Sequence, residues 1–292
     1  MAGGISQSVN DDPKFVQVVL TVPESKLLIA KAIAELPEIR HALREGKIAL
    51  KGGTTVSALS ELLGFPPLRI SGRITAQGTR SASSVVDAPH AIVVERGQWR
   101  PADENLEQEI AEMAQGDIFV TGANALDCFG NAGTLVGTVA GATIGKVWPY
   151  LISEGITTII AVGLEKLIPG SITAASLKAG RKRVSKSMGM AVGLFPLVGK
   201  VVTEQHAIEL LTGVHCTVIA SGGLAGAEGA TTMVLEGDLG QVEQAFSLTE
   251  SVKNAACSGN KQSLISCDKN GIRCNQHLAC VDKQMRGKTA RV

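Results

Sequence analysis

The sequence predicts an α/β protein: an open, mostly parallel sheet flanked by helices, with a smaller ferredoxin-like α+β domain behind it. Three observations predict it. Apolar runs at Lys47–Leu50, Asp117–Thr121 and Thr157–Val162 have the length of buried strands. Between the last two, GANALDCFGNAGTLVGTVAGATIGKVWPYLISEG supplies a small-residue loop and a helix, the outline of an α/β unit. After Gly199 the order becomes strand, helix, strand, strand, helix, which matches the ferredoxin-like split motif.

Composition narrows the function classes. The 292 residues suffice for a sizeable core, and 45 % are hydrophobic against 19 % charged. A net charge of +1 makes no electrostatic case for nucleic acid or an anionic membrane, and 3 % aromatics leave few platforms for bases. No apolar run reaches the ~18 residues a membrane span needs. The start, MAGGISQSVNDDPK, lacks the basic-then-apolar order of a signal peptide. A cytoplasmic protein with reduced thiols is expected.

The expected elements run as follows. A loose leader gives way to a strand over Lys14–Val22. Pro23 opens a helix whose apolar face is Leu27, Ile29, Ala30, Ile33, Ala34 and Leu36, and a second helix covers Glu38–Glu45. Strand Lys47–Leu50 runs into Gly52-Gly53-Thr54-Thr55 and a helix that buries Val56, Leu59, Leu62 and Leu63. The glycines allow a tight bend, and the helix N-terminus offers free amides and partial positive charge to a phosphate or carboxylate. A plain threonine-capped turn has the same pattern. Leu68–Thr75 reads as a strand, Gln77–Ser84 as a polar turn whose Arg80 is a solvated surface residue or, as the weaker alternative, a clamp for an anionic ligand, and Ala91–Glu95 as a short strand. The helix Glu104–Gln115 carries the stripe Leu106, Ile110 and Met113.

The strand ending at Thr121 places its loop, Gly122–Asp127, at the C-terminal edge of the sheet, where open α/β sheets bind ligands. Asn124, Thr134, Thr143 and Lys146 are the binding candidates of this stretch. Lys146 either holds an anion as a point charge or is an ordinary exposed lysine. Asp117 begins its strand and so lies at the wrong edge. Glu95 and Asp127 remain as acid/base candidates. Arg181-Lys182-Arg183 reads as a solvated helix face or a phosphate docking site.

The domain reading is 14–191 for the α/β ligand-binding domain, 192–256 for the ferredoxin-like domain and 257–292 for a cysteine-containing tail. The tail has Cys257, Cys267, Cys274, Cys280 and His277, but no C-x-x-C pair of the kind zinc sites use. No metal or cofactor is expected; a metal- or redox-active tail is the weaker alternative to reduced thiols. Dinucleotide, P-loop, nucleophile-elbow and H-E-x-x-H motifs are all missing from the sequence.

GKIALKGGTTVSALSELLG resembles the early strand-loop-helix of the superfamily that holds ribose-5-phosphate isomerase, glucosamine-6-phosphate deaminase and the CoA transferases. There a Gly/Ser/Thr-rich turn binds the ligand's phosphate or lies against the CoA ester, and the matching positions are Gly52, Gly53, Thr54 and Thr55. DIFVTGANALD resembles the isomerase's second strand and loop, with Asn124 and Ala125 in place of an acidic pair. GNAGTLVGTVAGATIGK resembles the lactate-utilisation branch. No glutamate matches the CoA-transferase nucleophile. The resemblance implies a small anionic metabolite as partner, a sugar phosphate or CoA ester, handled by an isomerase or transferase. The rival expectation is a non-catalytic binding or regulatory protein on the same fold, assembled as a homo-oligomer through its small domain.

Overall fold

The computed structural model describes residues 12–82, 86–265 and 277–281. Its framework is a six-stranded sheet in the order β12-β10-β7-β2-β5-β6, from β2 (Lys47–Lys51), β5 (Ala91–Glu95), β6 (Gln98–Pro101), β7 (Ile118–Gly122), β10 (Thr157–Ala161) and β12 (Lys200–Val202). The four strands from β12 to β2 are parallel, while β5 and β6 are antiparallel additions. The mixed α/β class with a mostly parallel sheet is as the sequence predicts.

Strand side chains alternate between two cores, as a period of two requires. Ile48, Leu50, Val120 and Ile159 face one, covered by α1 (Val22–Glu35), α2 (Pro37–Glu45) and α3 (Thr54–Leu62). Ala49, Phe119 and Ile160 face the other, covered by α4 (Leu106–Ala111) and α5 (Ala142–Ser153). Helix α3 follows β2 on one face and α5 follows β7 on the other. The chain therefore leaves two neighbouring strands in opposite directions, and a crevice opens at their C-terminal ends.

A second sheet, β1-β14-β13, is antiparallel throughout and built from β1 (Lys14–Leu20), β13 (His215–Gly222) and β14 (Ala230–Gly237). Helices α7 (Glu204–Thr212) and α8 (Leu239–Glu250) pack on it. Val18, Leu20, Cys216, Met233 and Leu235 bury into the same core as α1. The strand expected to open a ferredoxin-like unit, β12, pairs instead with β10, and the N-terminal β1 pairs with β14. The small sheet thus draws on both ends of the chain and does not arise from residues 192–256 alone. Glu24 locks this closure. Its carboxylate accepts from Thr21 N at 2.8 Å, Lys253 Nζ at 3.1 Å and Asn254 N at 3.1 Å. Burial opposes its ionisation, but these donors prevail and hold it below the usual carboxylate range.

Two further differences lie in the loops. Only Gly72–Thr75 of the expected strand 68–75 is extended, as β3, in a hairpin with β4 (Gly78–Ser81); Arg80 on β4 is buried rather than solvated, with its Nη2 donating to Gln77 O. The glycine-rich loop after β7 is itself partly strand: β8 (Ala125–Leu126) and β9 (Ala132–Val136) form a small sheet with β11 (Gly193–Leu197), beside α6 (Ile172–Lys178). Small residues there permit close sheet packing. A Cβ on Gly133 would lie 2.9 Å from Leu194 Cδ1.

Entry to α5 is strained. Ala140, Gly141 and Ala142 all have positive φ, and Ala142 sits at φ 48°, ψ −129°, a region that suits only glycine. Ala142→Gly is expected to raise stability by about 1 kcal/mol in a denaturant titration, the relieved strain outweighing the entropy that glycine adds to the unfolded chain.

Candidate functional site

The crevice at the C-terminal ends of β2 and β7 holds the residues with chemistry to spare. Lys51 ends β2 and lies beside Thr121 of β7, one step beyond the Leu50–Val120 pair. Its ammonium makes no hydrogen bond or ion pair among the described residues. By contrast Lys47, four residues earlier, donates to Glu109 at 3.1 Å. Lys51 is only partly covered, yet protein surrounds it closely enough that burial alone pushes its pKa down to about 8.

The next residues build an anion cradle. Gly52 N donates to His90 O at 2.6 Å, and a Cβ at Gly52 would lie 2.5 Å from His90 Nδ1 and 2.7 Å from Arg69 O. This glycine exists for packing, because the turn is pinned against residues 69 and 90. Gly52→Ala is expected to cost about 2–3 kcal/mol by equilibrium unfolding, as the clash is partly with backbone. Gly53, in extended conformation, is the N-cap of α3 and has no side chain to cap it. The amides of Thr54, Thr55 and Val56 have no hydrogen-bond partner among the described residues. They are the free N-terminal donors of a nine-residue helix, at its positive end. A Cβ at Gly53 would touch only Gly122 Cα, 3.9 Å away, so the β2 and β7 loops lie close to one another here.

Beside the β7 loop lies a charged cluster that the sequence did not advertise. After β10, Gly163 leaves space for the Glu165 side chain to fold back over it. Both Glu165 carboxylate oxygens are sealed from solvent and accept no hydrogen bond from the described residues. Lys26 Nζ stands 3.9 Å and Lys166 Nζ 3.8 Å from Oε1. Lys166 Nζ donates to Ala123 O at 2.8 Å, which ties the cluster to the β7 loop. Burial is the main cause that lowers the Lys166 pKa, with Glu165 opposing. Beside them Glu204 is buried. Its oxygens take Leu164 N at 2.9 Å and Thr231 Oγ1 at 3.2 Å. Burial raises its pKa, with the neighbouring Glu165 charge adding to the rise, so Glu204 keeps its proton more readily than an ordinary glutamate. Two carboxylates in unlike environments, with lysines between them, are a pattern that suits proton transfer.

The residues expected from sequence divide into two groups. Gly52, Gly53, Thr54 and Thr55 are at the crevice. Asn124 lies just past β7, but its Oδ1 accepts from Thr134 Oγ1 at 3.1 Å and Leu135 N at 3.0 Å, so Asn124 and Thr134 fasten β9 to the β7 loop. Thr143 lies in the first turn of α5. Lys146 projects from α5 with its side chain 66 % exposed and 3.8 Å from Glu107, an ordinary surface pair.

Neither acid/base candidate is placed for chemistry. Strand β5 runs antiparallel, which puts Glu95 opposite Lys47, at the other edge of the sheet. Four residues separate that position from Lys51, about 13 Å along the strand. Glu95 there accepts from Arg100 Nη1 at 2.9 Å, in a network with Glu109 and Lys47. Asp127 is saturated. It accepts from Phe129 N at 3.0 Å, Asn131 N at 2.9 Å, Asn131 Nδ2 at 3.1 Å and Ile172 N at 3.0 Å. Burial opposes its charge, but these donors win and hold the carboxyl below its usual range. It organises the turn and the start of α6.

Cys267 and Cys274 of the tail lie outside the described residues. Among the described residues no group of three metal-ligating side chains occurs, and no helix is long and apolar enough to cross a membrane. No protein-family model matches the chain, and neither the curated proteins nor the solved structures returned a match.

Proposed function

We propose that this protein binds a small phosphorylated or carboxylated metabolite in the crevice between Gly52–Thr55 and Gly122–Ala123, and acts on it as an isomerase- or transferase-type enzyme. One observation carries the reading: the uncapped N-terminus of α3, whose first three amides have no partner among the described residues, directly after the end of β2 at Lys51. Peptide dipoles and a point charge together favour an anion more than either alone. The Glu165–Lys166–Glu204 cluster supplies the proton-transfer groups, in place of Glu95 and Asp127.

A non-catalytic binding protein is the second reading. The structural duties of Glu95 and Asp127 favour it, since they remove both acids expected from sequence.

A thermal-shift screen of phosphosugars, CoA esters and small organic acids tests the site. A ligand at 100 times its dissociation constant adds about 2.7 kcal/mol. The shift is expected to vanish in Lys51→Met and to persist in Lys146→Ala. A shift kept in both variants removes the ligand from this crevice. Turnover of the hit, lost in Glu165→Gln with binding retained, separates the enzyme from the binding protein.

A further inference from the structure

We propose that the basic loop after α6 is a membrane-contact surface, which docks reversibly on a bilayer carrying anionic lipids through its cations and the aliphatic side chains beside them. The proposal goes beyond the crevice and uses none of its residues.

The overall charge of +1 is an average over unlike stretches. Residues 101–145 contain no Lys or Arg, and residues 166–203 contain no Asp or Glu. Within the second stretch the chain leaves α6 and forms a loop closed at its base, where Gly180 N donates to Val192 O at 3.0 Å. Lys182, Arg183 and Lys186 are exposed on this loop, and Lys178 is exposed on the last turn of α6 directly before it. None of these side chains has an ion pair or hydrogen bond among the described residues. Other surface lysines are paired: Lys146 stands by Glu107, and Lys200 donates to Glu38. Like charges gathered on one short loop repel each other, and a surface of opposite charge relieves that repulsion.

Aliphatic side chains accompany the cations. Met188 is 78 % exposed and Leu177 67 %. The backbone at Met188 is held firmly. Its carbonyl accepts from Thr79 N at 3.1 Å, and on its other side Ser187 N donates to Ala279 O at 2.9 Å. The β3–β4 hairpin lies flush against it: a Cβ at Gly78 would fall 2.0 Å from Met188 O, and one at Gly189 would fall 1.9 Å from Thr79 O. The loop is therefore a fixed platform that leaves the Met188 side chain in solvent. Ile74, 65 % exposed, stands opposite Thr79 on the same hairpin and adds to the apolar surface.

Composition selects the occupant. A nucleic-acid backbone would engage the cations but leave Leu177 and Met188 in water, and residues 177–188 hold no ring on which a base could stack. Protein interfaces favour aromatic residues and disfavour lysine, whereas this stretch has Lys178, Lys182 and Lys186 and no aromatic. Aliphatic side chains among cations suit the headgroup boundary of an anionic leaflet. The aliphatic groups enter the acyl edge while the long basic side chains reach lipid phosphates.

Co-sedimentation of the full-length protein with phosphatidylcholine vesicles, plain or containing about a third phosphatidylserine, tests the proposal. The mixed vesicles are expected to carry the protein down and the plain ones to leave it in solution. Each cation near such a surface strengthens binding about fivefold, so Lys182→Ala combined with Arg183→Ala is expected to lower the partition coefficient roughly 25-fold. Salt at about 1 M is expected to weaken the wild type in the same direction. Met188→Ser is expected to weaken binding severalfold. The replaced side chains are exposed, so these variants are expected to melt at the wild-type temperature. Equal sedimentation of the wild type with both kinds of vesicle, or with neither, overturns the proposal whatever the variants do. Wild-type partitioning of the folded double variant places the contact elsewhere and overturns it as well. Unchanged binding by Met188→Ser contradicts the aliphatic contact. Retention on a duplex oligonucleotide or on polyglutamate, with no binding to the mixed vesicles, gives the loop a different partner and sinks the lipid reading.

Discussion

Lys51→Met is expected to make the free protein more stable while removing its ligand response. At neutral pH the wild-type chain holds a charged ammonium crowded by protein with no counter-charge among the described residues, which costs free energy in the folded state only. Partial exposure screens that cost, so we expect a gain of about 1–2 kcal/mol, or roughly 2–4 °C in melting temperature. Methionine fills the space of the lysine stem with no charge to desolvate. The pH dependence has a definite sign. Below about pH 8 Lys51 is protonated in both states and the full cost is present. Between there and the ordinary lysine value near 10.5, the unfolded chain holds a proton that the folded chain has released, so wild-type stability gains as pH rises. The advantage of Lys51→Met should therefore shrink across that window, as read by chemical denaturation at pH 7 and pH 10. A variant less stable than wild type at pH 7 would contradict that cost. A binding residue that destabilises its own fold is the usual trade between stability and function.

Asp127→Ala should produce the opposite, a loss of about 2–3 kcal/mol with no direct effect on the crevice. Four donors converge on one carboxylate, and removing it leaves the Ile172, Phe129 and Asn131 amides without their acceptor. Phe129 and Asn131 are exposed, so water can replace part of what their amides lose, which keeps the cost below the sum of the bonds. Because the folded state holds this carboxyl below its usual range, the stabilisation is complete above the unfolded aspartate value and fades as pH falls through it. Urea titrations at pH 7 and pH 3.5 would show the variant's deficit shrinking at the lower pH. Asp127→Asn, which keeps one acceptor, should lose less and retain any ligand-induced thermal shift. Loss of that shift in a folded Asp127→Asn protein would return Asp127 to the site.

How far the sequence could lead depended on what each signal encodes. The parallel strands were legible because β2, β7 and β10 are buried on both faces and read as continuous apolar runs. Strand direction is not written in such runs, and that is why Glu95 was expected at the edge opposite to its own. The Gly-Gly-Thr-Thr turn stood out because glycine and a helix start are local features. Lys51, directly before it, looks in sequence like any polar strand end. Its isolation is a property of what the fold fails to bring near it. Glu165 and Lys166 were invisible for a related reason. Glu165 is packed by α1 at Lys26 and by the turn at Gly229, segments far away in the chain. The ferredoxin-like expectation followed element order correctly, but order alone cannot tell that β12 joins the large sheet and β1 the small one.

The most direct test of the anion site is a crystal structure with the tightest hit of the thermal-shift screen bound. The anionic group is expected within hydrogen-bond distance of the Thr54 and Thr55 amides. An anion seated elsewhere, for example on Arg181, Lys182 and Arg183 beyond α6, with the crevice between Gly53 and Gly122 unchanged, would contradict it.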